Sequence, residues 1–316
     1  MTAVRVALKI DVDTYRGAAD GAARLAFFLR AERIPASFFV SLGPDNSGWA
    51  ALRVFRHTGF FRKMRRTSAW SVYGWRTAFS GTLWPARPIG SSFADSLRRW
   101  KSWGFEVSPH GFDHILWHDQ AASWSADRAA EEWAKIDQAY RQIFGEAPQS
   151  SAAPGWQAGT GTWRVLDEAG LLYHSDTRGD EPYWPEIDGI RQATLEIPTT
   201  LPTWDEMLAW DGVSMANLIE ETWKQVRADR VNVWTIHAEF EGSPCFALFR
   251  RFIEQAKSKG VEWIFLPAWA QSLKNRADEL PRAGIAQGTR PGRAGAVTVQ
   301  SALSSTKSER SLFAHG

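Results

Sequence analysis

Strand-like and helix-like segments alternate along most of this chain, and this alternation constrains the fold more than any other feature of the sequence. Residues 4–13 (VRVALKIDVD) alternate as a strand does, residues 21–30 have helical spacing, and residues 36–42 again resemble a strand. This order predicts a parallel crossover unit. Helix-then-strand pairs recur at 130–144 and 150–153, 161–169 and 171–175, 223–228 and 231–237, and 248–259 and 261–266. We therefore predict an α/β fold built on parallel strands.

Polar side chains suited to metal binding and proton transfer follow several of these strands. The first strand ends in Asp11 and Asp13, which face the same side because they are two residues apart. His110 and His114 follow another strand, and His237 ends a third. A parallel β/α barrel builds its active site at the carboxyl ends of its strands. We therefore expect these five residues to share one site.

The segment HGFDH supplies two imidazoles that can reach one metal ion if the backbone between them turns tightly. A helix would also pair His110 with His114, but Gly111 stands where helical zinc proteases need a glutamate. Pro109 and Gly111 instead indicate a strand followed by a turn, so a third ligand must come from elsewhere. Taken alone, the pair could arise by chance, and Asp-x-Asp also occurs in sugar transferases and calcium loops. A transferase would leave the histidines unused.

The two motifs, in this order, resemble those of the polysaccharide deacetylase family, also called the NodB-homology or carbohydrate esterase 4 family. The resemblance extends over about residues 4–270 and implies a distorted parallel (β/α) barrel of about seven strands. It also implies a metal-dependent hydrolase of a linear amide bond. Five segments are similar to the branch that removes formate from undecaprenyl-phosphate-linked 4-deoxy-4-formamido-L-arabinose: residues 11–17 (DVDTYRG), 43–46 (GPDN), 153–156 (APGW), 175–179 (SDTRG) and 236–239 (IHAE).

The resemblance also implies roles for single residues. Asp13, His110 and His114 would hold a divalent metal, and three protein ligands leave the open position that is typical of catalytic zinc. Other first-row divalent metals also suit this set. Asp11 would be the base that deprotonates water, and His237 the acid that protonates the leaving amine. The alternatives are a supporting carboxylate for Asp11, a turn residue for Asp13 and a buried structural histidine for His237.

Four further residues are candidates for supporting the site or contacting substrate. By resemblance, Asp176 would orient His237. Pro154, Gly155 and Trp156 form the motif that would line the site, and a backbone N–H of Gly155 or Trp156 could stabilise an oxyanion.

The remaining histidines are given no role. His118 and His174 match no ligand position, while His57 and His315 lie in an insertion and in the tail. Asp113 is predicted to be a turn residue that bonds local backbone.

Two positions depart from the wider family. Gly111 replaces the usual Ser or Thr, and Ala152 stands where an arginine often orients the base. The lipid-sugar deformylase branch departs from the wider family in similar ways at these two positions. Both departures therefore favour that branch over chitin or peptidoglycan deacetylases. How Asp11 is oriented without that arginine is left open.

An insertion at about residues 47–94 has an unusual composition. It has no acidic residue between Asp45 and Asp95, and its basic residues, such as Arg62, alternate with bulky aromatics. This composition is typical of a segment that lies in an anionic lipid interface. The alternative is a helical insertion packed on the barrel with a solvated basic face. We expect no nucleic-acid partner, because no recognised binding motif accompanies the basic run.

The rest of the composition concerns location and domain limits. The net charge is +2, no run of about 18 apolar residues exists, and no signal peptide is visible. We expect a cytoplasmic protein, peripheral on the inner face of the cytoplasmic membrane.

Cys245 is the only cysteine, which excludes an internal disulfide. Residues 1–273 are predicted to form the catalytic domain. Residues 274–316 lack periodicity and are rich in small residues and arginine, which predicts a disordered tail.

The function that the resemblance implies is deformylation of the lipid-linked sugar, in the modification of lipid A that underlies polymyxin resistance. Two alternatives stay open: a deacetylase of another N-acylated sugar, and a noncatalytic lipid- or glycan-binding protein on the same fold. The sequence does not indicate the oligomeric state.

Overall fold

The structure, a computed structural model, describes residues 3–48 and 85–303, and strands alternate with helices through most of them. The strands are β1 (Arg5–Val12), β2 (Ser37–Val40), β3 (Glu106–Pro109), β4 (Ser150–Ser151), β5 (Tyr173–His174), β6 (Trp184–Ile187), β7 (Ile190–Arg191), β8 (Leu195–Glu196), β9 (Val231–His237), β10 (Glu262–Ile264), β11 (Arg282–Thr289) and β12 (Ala296–Ser301). The α-helices are α1 (Ala23–Glu32), α2 (Ile89–Ser92), α3 (Ala94–Ser102), α4 (His114–Gln120), α5 (Ala126–Phe144), α6 (Thr160–Glu168), α7 (Trp204–Met207), α8 (Leu218–Gln225), α9 (Phe246–Ser258) and α10 (Leu266–Lys274).

Strand β1 is the centre of the main parallel sheet. It pairs with β9 from Arg5 to Asp11, with β2 from Lys9 to Val12, and with β10 from Arg5 to Ala7. Strand β2 also pairs in parallel with β3. Because all of these pairings are parallel, the carboxyl ends of β1, β3 and β9 lie at the same edge of the sheet.

A second parallel sheet, in the order β4-β5-β8, continues the first. Ala152 N, just after β4, donates to Pro109 O of β3, and Leu201 N, after β8, donates to Val233 O of β9. The order β9-β1-β2-β3-β4-β5-β8 is that of a distorted barrel of seven parallel strands. Within the described residues the strand pairing leaves two gaps in this barrel, between β3 and β4 and between β8 and β9, and these two hydrogen bonds bridge them. The predicted α/β fold is confirmed.

The two faces of β1 have different surroundings. Val6, Leu8 and Ile10 pack in the large core that includes the surrounding helices, whereas Ala7 belongs to a smaller apolar cluster with Phe39 and Val233. Each fully buried aliphatic side chain contributes on the order of 1.5–3 kcal/mol to folding. Lys9 and Asp11 share the face of Ala7, nearer to the carboxyl end of the strand. The polar site therefore begins where this apolar cluster ends.

The prediction of a disordered tail is wrong for residues 282–301. Strands β11 and β12 form an antiparallel hairpin, and β11 also pairs in parallel with β6. Val297 is fully buried, and Thr298 Oγ1 donates to Ala158 O and accepts from Ala158 N. A two-stranded hairpin is marginal by itself, so its order comes from docking, which its composition does not reveal. Residues 304–316 lie outside the described part.

Only residues 47–48 and 85–94 of the predicted basic insertion are described. The interface predicted for it, with His57, therefore lies outside the described residues. Within residues 3–48 and 85–303, no helix has the length and apolarity needed to cross a membrane. Cys245 is buried and free, as expected for a lone cysteine.

Candidate metal and active site

Asp13, His110 and His114 come together at the carboxyl ends of β1 and β3. His110 Nε2 lies 3.4 Å from Asp13 Oδ1, and His114 Nε2 lies 3.4 Å from Asp13 Oδ2. One donor atom from each residue lies within 4.8 Å of the other two. Asp13 Oδ1 is buried and has no hydrogen-bond partner among the described residues. An unpartnered carboxylate oxygen that faces two imidazole nitrogens fits a divalent cation.

Both imidazoles are held in the neutral form that binds metals. Burial lowers the pKa of His110 well below its ordinary value, and it lowers the pKa of His114, with further help from His118 and His237, to about 3. His110 Nδ1 lies 2.9 Å from Ala152 O, so this nitrogen carries the proton and donates it to the carbonyl. Nε2 is then unprotonated, and its lone pair faces Asp13. A backbone carbonyl that accepts the other ring N–H fixes the tautomer in this way in many metal-binding histidines.

The turn within HGFDH depends on two residues between the histidines. Gly111 has φ +72°, and a Cβ there would lie only 3.0 Å from Pro154 Cγ. The glycine therefore permits a left-handed turn under the Pro154 ring. Asp113 caps α4, because its side chain accepts two backbone N–H groups of the first turn. Its predicted role in local backbone bonding is confirmed, and His114 begins the helix rather than lying on a loop.

Asp11 and His237 face the same site from neighbouring strands, since they are aligned in the β1–β9 pairing. Asp11 Oδ2 lies 3.7 Å from His110 Nε2. Burial by itself would lower the pKa of His237, but the carboxylates of Asp205, Asp13 and Asp11 outweigh it and raise that pKa to about 9. His237 is therefore protonated at neutral pH and can donate a proton.

A buried lysine lies beside Asp11. Lys9 Nζ is 3.9 Å from Asp11 Oδ1 and donates to Ser175 O at 3.0 Å, and the Lys9 side chain is fully buried. Burial raises the pKa of Asp11, and Lys9 is the strongest influence that opposes this rise. A cation thus faces Asp11 although Ala152 replaces the family arginine. Sequence reasoning missed Lys9, although it lies two residues before Asp11 on the same face of the strand.

The acid beside His237 is not the one that the sequence predicted. Asp205, on α7, has Oδ1 3.7 Å from His237 Nδ1. Asp176 lies instead in a fully buried cluster, where His174 Nδ1 is 3.6 Å from Asp176 Oδ2 and 2.5 Å from Glu196 Oε2. Asp176 follows β5 and lies in this cluster, whereas Asp205 on α7 lies beside His237.

Two glutamates that follow His237 hold the backbone of the site. Glu239 Oε1 accepts from Asp13 N at 3.0 Å, from Thr14 N at 2.8 Å and from Thr14 Oγ1 at 2.8 Å. Glu241 Oε2 accepts from His237 N at 2.8 Å. These bonds position the loop after β1 and the end of β9. Glu239 belongs to the segment 236–239, but the sequence predicted no role for either glutamate.

Residues Pro154, Gly155 and Trp156 form a tight turn next to the site. Trp156 is buried, and its Nε1 lies 3.2 Å from Thr199 Oγ1. The backbone N–H of Trp156 donates to Ala153 O, so this predicted oxyanion donor is already engaged. Of the two donors considered, Gly155 N–H stays a prediction.

No protein-family model matches the chain. The crystal structure of a candidate polysaccharide deacetylase from Mycobacterium smegmatis is similar, with a TM-score of 0.59 at 21% identity over 92% of this chain and 95% of that one. The chain therefore shares the fold of that polysaccharide deacetylase, and two of its histidines and a carboxylate are grouped at the barrel end.

Two relatives narrow this class. A probable 4-deoxy-4-formamido-L-arabinose-phosphoundecaprenol deformylase from Shewanella sediminis is 37% identical over 263 residues, which cover 82% of this chain and 84% of the relative. A protein of the same description from Wigglesworthia glossinidia brevipalpis is 27% identical over 290 residues, covering 89% and 96%. The chain belongs to the 4-deoxy-4-formamido-L-arabinose-phosphoundecaprenol deformylase family, as its motifs predict.

Proposed function

We propose that this chain is a metal-dependent amidohydrolase that removes formate from undecaprenyl-phosphate-linked 4-deoxy-4-formamido-L-arabinose. The observation that carries this proposal is the grouping of Asp13, His110 and His114 around an unpartnered carboxylate oxygen, with Asp11 and His237 on the same face. The substrate is the one named for both relatives. Asp13, His110 and His114 would hold the metal, most simply zinc, although other first-row divalent ions accept the same ligands.

The residues around the triad account for the two proton transfers of amide hydrolysis. When bound, a divalent cation supplies positive charge that polarises the formyl carbonyl. Asp11 accepts a proton from the attacking water, whose oxygen forms the new bond to the formyl carbon. His237, protonated because its pKa is raised to about 9, donates to the amide nitrogen as the C–N bond breaks. Formate leaves, and the sugar retains a free amine.

The setting proposed is the inner face of the cytoplasmic membrane, in the modification of lipid A that confers polymyxin resistance. The basic, aromatic segment at about 47–94 favours contact with anionic lipid. A lipid-linked substrate requires such a peripheral location, because its polyprenyl chain stays in the bilayer.

The test is release of formate and acetate from two lipid-linked sugars that differ only in the acyl group. Protein loaded with zinc should release formate from the formamido sugar and little acetate from the acetamido sugar, and a chelator should abolish both. Preference for the acetamido sugar would favour the deacetylase alternative. A protein that binds the lipid but releases neither acid would be a binding protein, and the proposed activity would be wrong.

A further inference from the structure

The turn of the C-terminal hairpin, residues 290–295, is seated against the rim of the site. Gly292 has φ +82°, and a Cβ at this position would lie 2.0 Å from Glu206 O. Because the Glu206 carbonyl lies so close, only glycine, which has no Cβ, fits at position 292. Glu206 follows Asp205, the acid beside His237. The hairpin therefore contacts the helix that supplies a neighbour of the proposed catalytic acid.

Arg293 extends from this turn across the rim. Its Nη2 donates to Gly155 O at 3.1 Å, and its guanidinium lies 4.7 Å from the centroid of the Trp156 ring. On the other side, Nη1 is 3.8 Å from Glu206 Oε1, which is an ion pair longer than a hydrogen bond. Arg293 thus links the Pro154–Trp156 turn to α7, and 16% of its side chain is exposed. The hydrogen bond to Gly155 uses one of its five N–H donors.

Acids and arginines both act on this guanidinium, since Glu206, Asp205 and Asp13 attract it and Arg178 repels it. Arg178, also 4.7 Å from the Trp156 ring, donates to Glu206 Oε1 at 2.6 Å and Oε2 at 2.8 Å, so this carboxylate is already committed. Arg290 Nη2 donates to Arg178 O at 3.4 Å, and Arg290 Nε is buried with no partner among the described residues. The guanidinium groups of Arg178, Arg290 and Arg293 thus lie around the Glu206 carboxylate, and Asp205 is its neighbour in the chain. Because Arg178 takes both oxygens of Glu206, Arg293 keeps N–H donors beyond its bond to Gly155 O, and an anion at this partly exposed rim can accept them.

We propose that Arg293, assisted by Arg290, binds the phosphodiester of the lipid-linked sugar and so selects glycosyl-phosphate lipids over neutral N-acylated sugars. This inference rests on the proposed function. In that substrate the phosphodiester lies on the opposite side of one pyranose ring from the amide, so its site must lie beside the catalytic residues rather than among them, as Arg293 does through its contacts with Gly155 and Glu206. A guanidinium fork can bind two phosphate oxygens at once, which fixes orientation as well as charge.

The main experiment compares kcat/KM for two substrates, the prenyl phosphodiester of the formamido sugar and its neutral methyl glycoside. Arg293→Gln should lower kcat/KM for the phosphodiester by roughly 10- to 100-fold, the range for a lost charge-assisted hydrogen bond, and leave the glycoside nearly unchanged. Arg293→Lys keeps the charge without the fork and should lose less. Arg282→Gln, an exposed arginine on the same hairpin, is the matched control. Equal losses on both substrates would make Arg293 a structural residue and overturn the inference.

A binding measurement separates this inference from the proposed reaction. Calorimetry with a short-chain prenyl phosphodiester of the unformylated amino sugar needs no hydrolysis. Wild-type protein should bind it in a salt-dependent manner, and Arg293→Gln should bind at least about tenfold more weakly. Phosphatidylglycerol bicelles carry a phosphodiester without the sugar and should compete poorly. No binding by wild-type protein, or equal competition by the bicelles, would overturn the substrate role even if formate is released. Normal binding without formate release would instead contradict only the proposed reaction.

Discussion

Lys9 Nζ lies 3.9 Å from Asp11 Oδ1, and both side chains are buried. The two residues are neighbours on one face of β1, so the strand that supplies Asp11 also supplies its counter-ion. Lys9 is held in turn by Ser175 O. The cation that the wider family takes from the position of Ala152 comes here from a different strand.

Removal of that cation should impair Asp11 as a base. In Lys9→Met, nothing at that position opposes the effect of burial, so the pKa of Asp11 rises further and less of the base is ionised at neutral pH. We expect the rate at pH 7 to fall by about 10- to 100-fold, part of what a general base contributes, and to recover partly at higher pH. Lys9→Arg should keep more activity. Pre-steady-state rates from pH 5 to 9, with metal content checked, test this, and an unshifted rising limb would contradict it.

Asp205 should determine how far activity extends into alkaline pH. Among the carboxylates that raise the pKa of His237 to about 9, Asp205 has the largest effect. In Asp205→Asn that pKa should fall, so His237 would lose its proton at lower pH. The falling limb of the kcat profile should move toward neutral pH, while the rate near pH 6 stays close to wild type. Asp211→Asn, an exposed acid in the same segment, should leave the limb in place. If the falling limb of the kcat profile lies at the same pH in Asp205→Asn as in Asp211→Asn, Asp205 does not determine the pKa of His237.

The five residues expected to share one site could be found from sequence because they belong to motifs that resemble the family's and lie at or just beyond the carboxyl ends of strands. In a parallel sheet those strand ends meet at one edge, so a local pattern becomes a three-dimensional constraint. Asp205 and Arg293 could not be found this way. Their positions depend on how α7 and the C-terminal hairpin dock on the barrel, and no local periodicity records that docking.

The hairpin illustrates the same limit. Its sequence is rich in Gly, Thr and Arg and has too few apolar residues to form a core alone. Val297 and Thr298 nevertheless dock on the barrel, where they are buried against residues far away in the chain. Composition measures what a segment can bury by itself, whereas order here depends on a surface that the rest of the fold provides.

The triad predicts a strict ligand dependence. His114→Ala leaves two protein ligands, which are too few to hold a catalytic zinc ion tightly. We expect metal content near zero and loss of activity, with the far-ultraviolet circular dichroism spectrum retained. His118→Ala is the matched control, because the His118 ring stacks 6.3 Å from that of His114 but is half exposed and lies outside the triad. Full metal occupancy in the His114 variant would exclude it as a ligand.

The basic insertion predicts charge-dependent membrane binding. If Arg62, Lys63, Arg65 and Arg66 face anionic lipid, each contributes on the order of 1 kcal/mol near the surface. Replacing all four by Gln should release the protein from phosphatidylglycerol vesicles in flotation assays, and raised salt should have the same effect on wild type. The charge-matched control replaces four exposed basic residues on or next to α9: Arg250, Arg251, Lys257 and Lys259. Vesicle binding that ignores both the change and the salt would favour the packed, nonmembrane alternative.

The proposed acid and base should differ in how they depend on the leaving group. Asp11→Asn keeps the shape of the side chain but cannot accept a proton, so hydrolysis of amides and activated esters should both fall by about 10²–10⁴-fold with metal still bound. His237→Ala removes the donor to the leaving nitrogen. An amine leaves poorly without a proton, whereas a phenolate leaves easily, so this variant should lose far more activity on amides than on activated esters.

The measured quantity is the ratio of amide to ester hydrolysis in each variant, relative to wild type. That ratio should be unchanged for Asp11→Asn and should drop at least about tenfold for His237→Ala. Equal losses on amide and ester in His237→Ala would mean that His237 binds substrate or supports the site, and its assignment as the acid would be wrong.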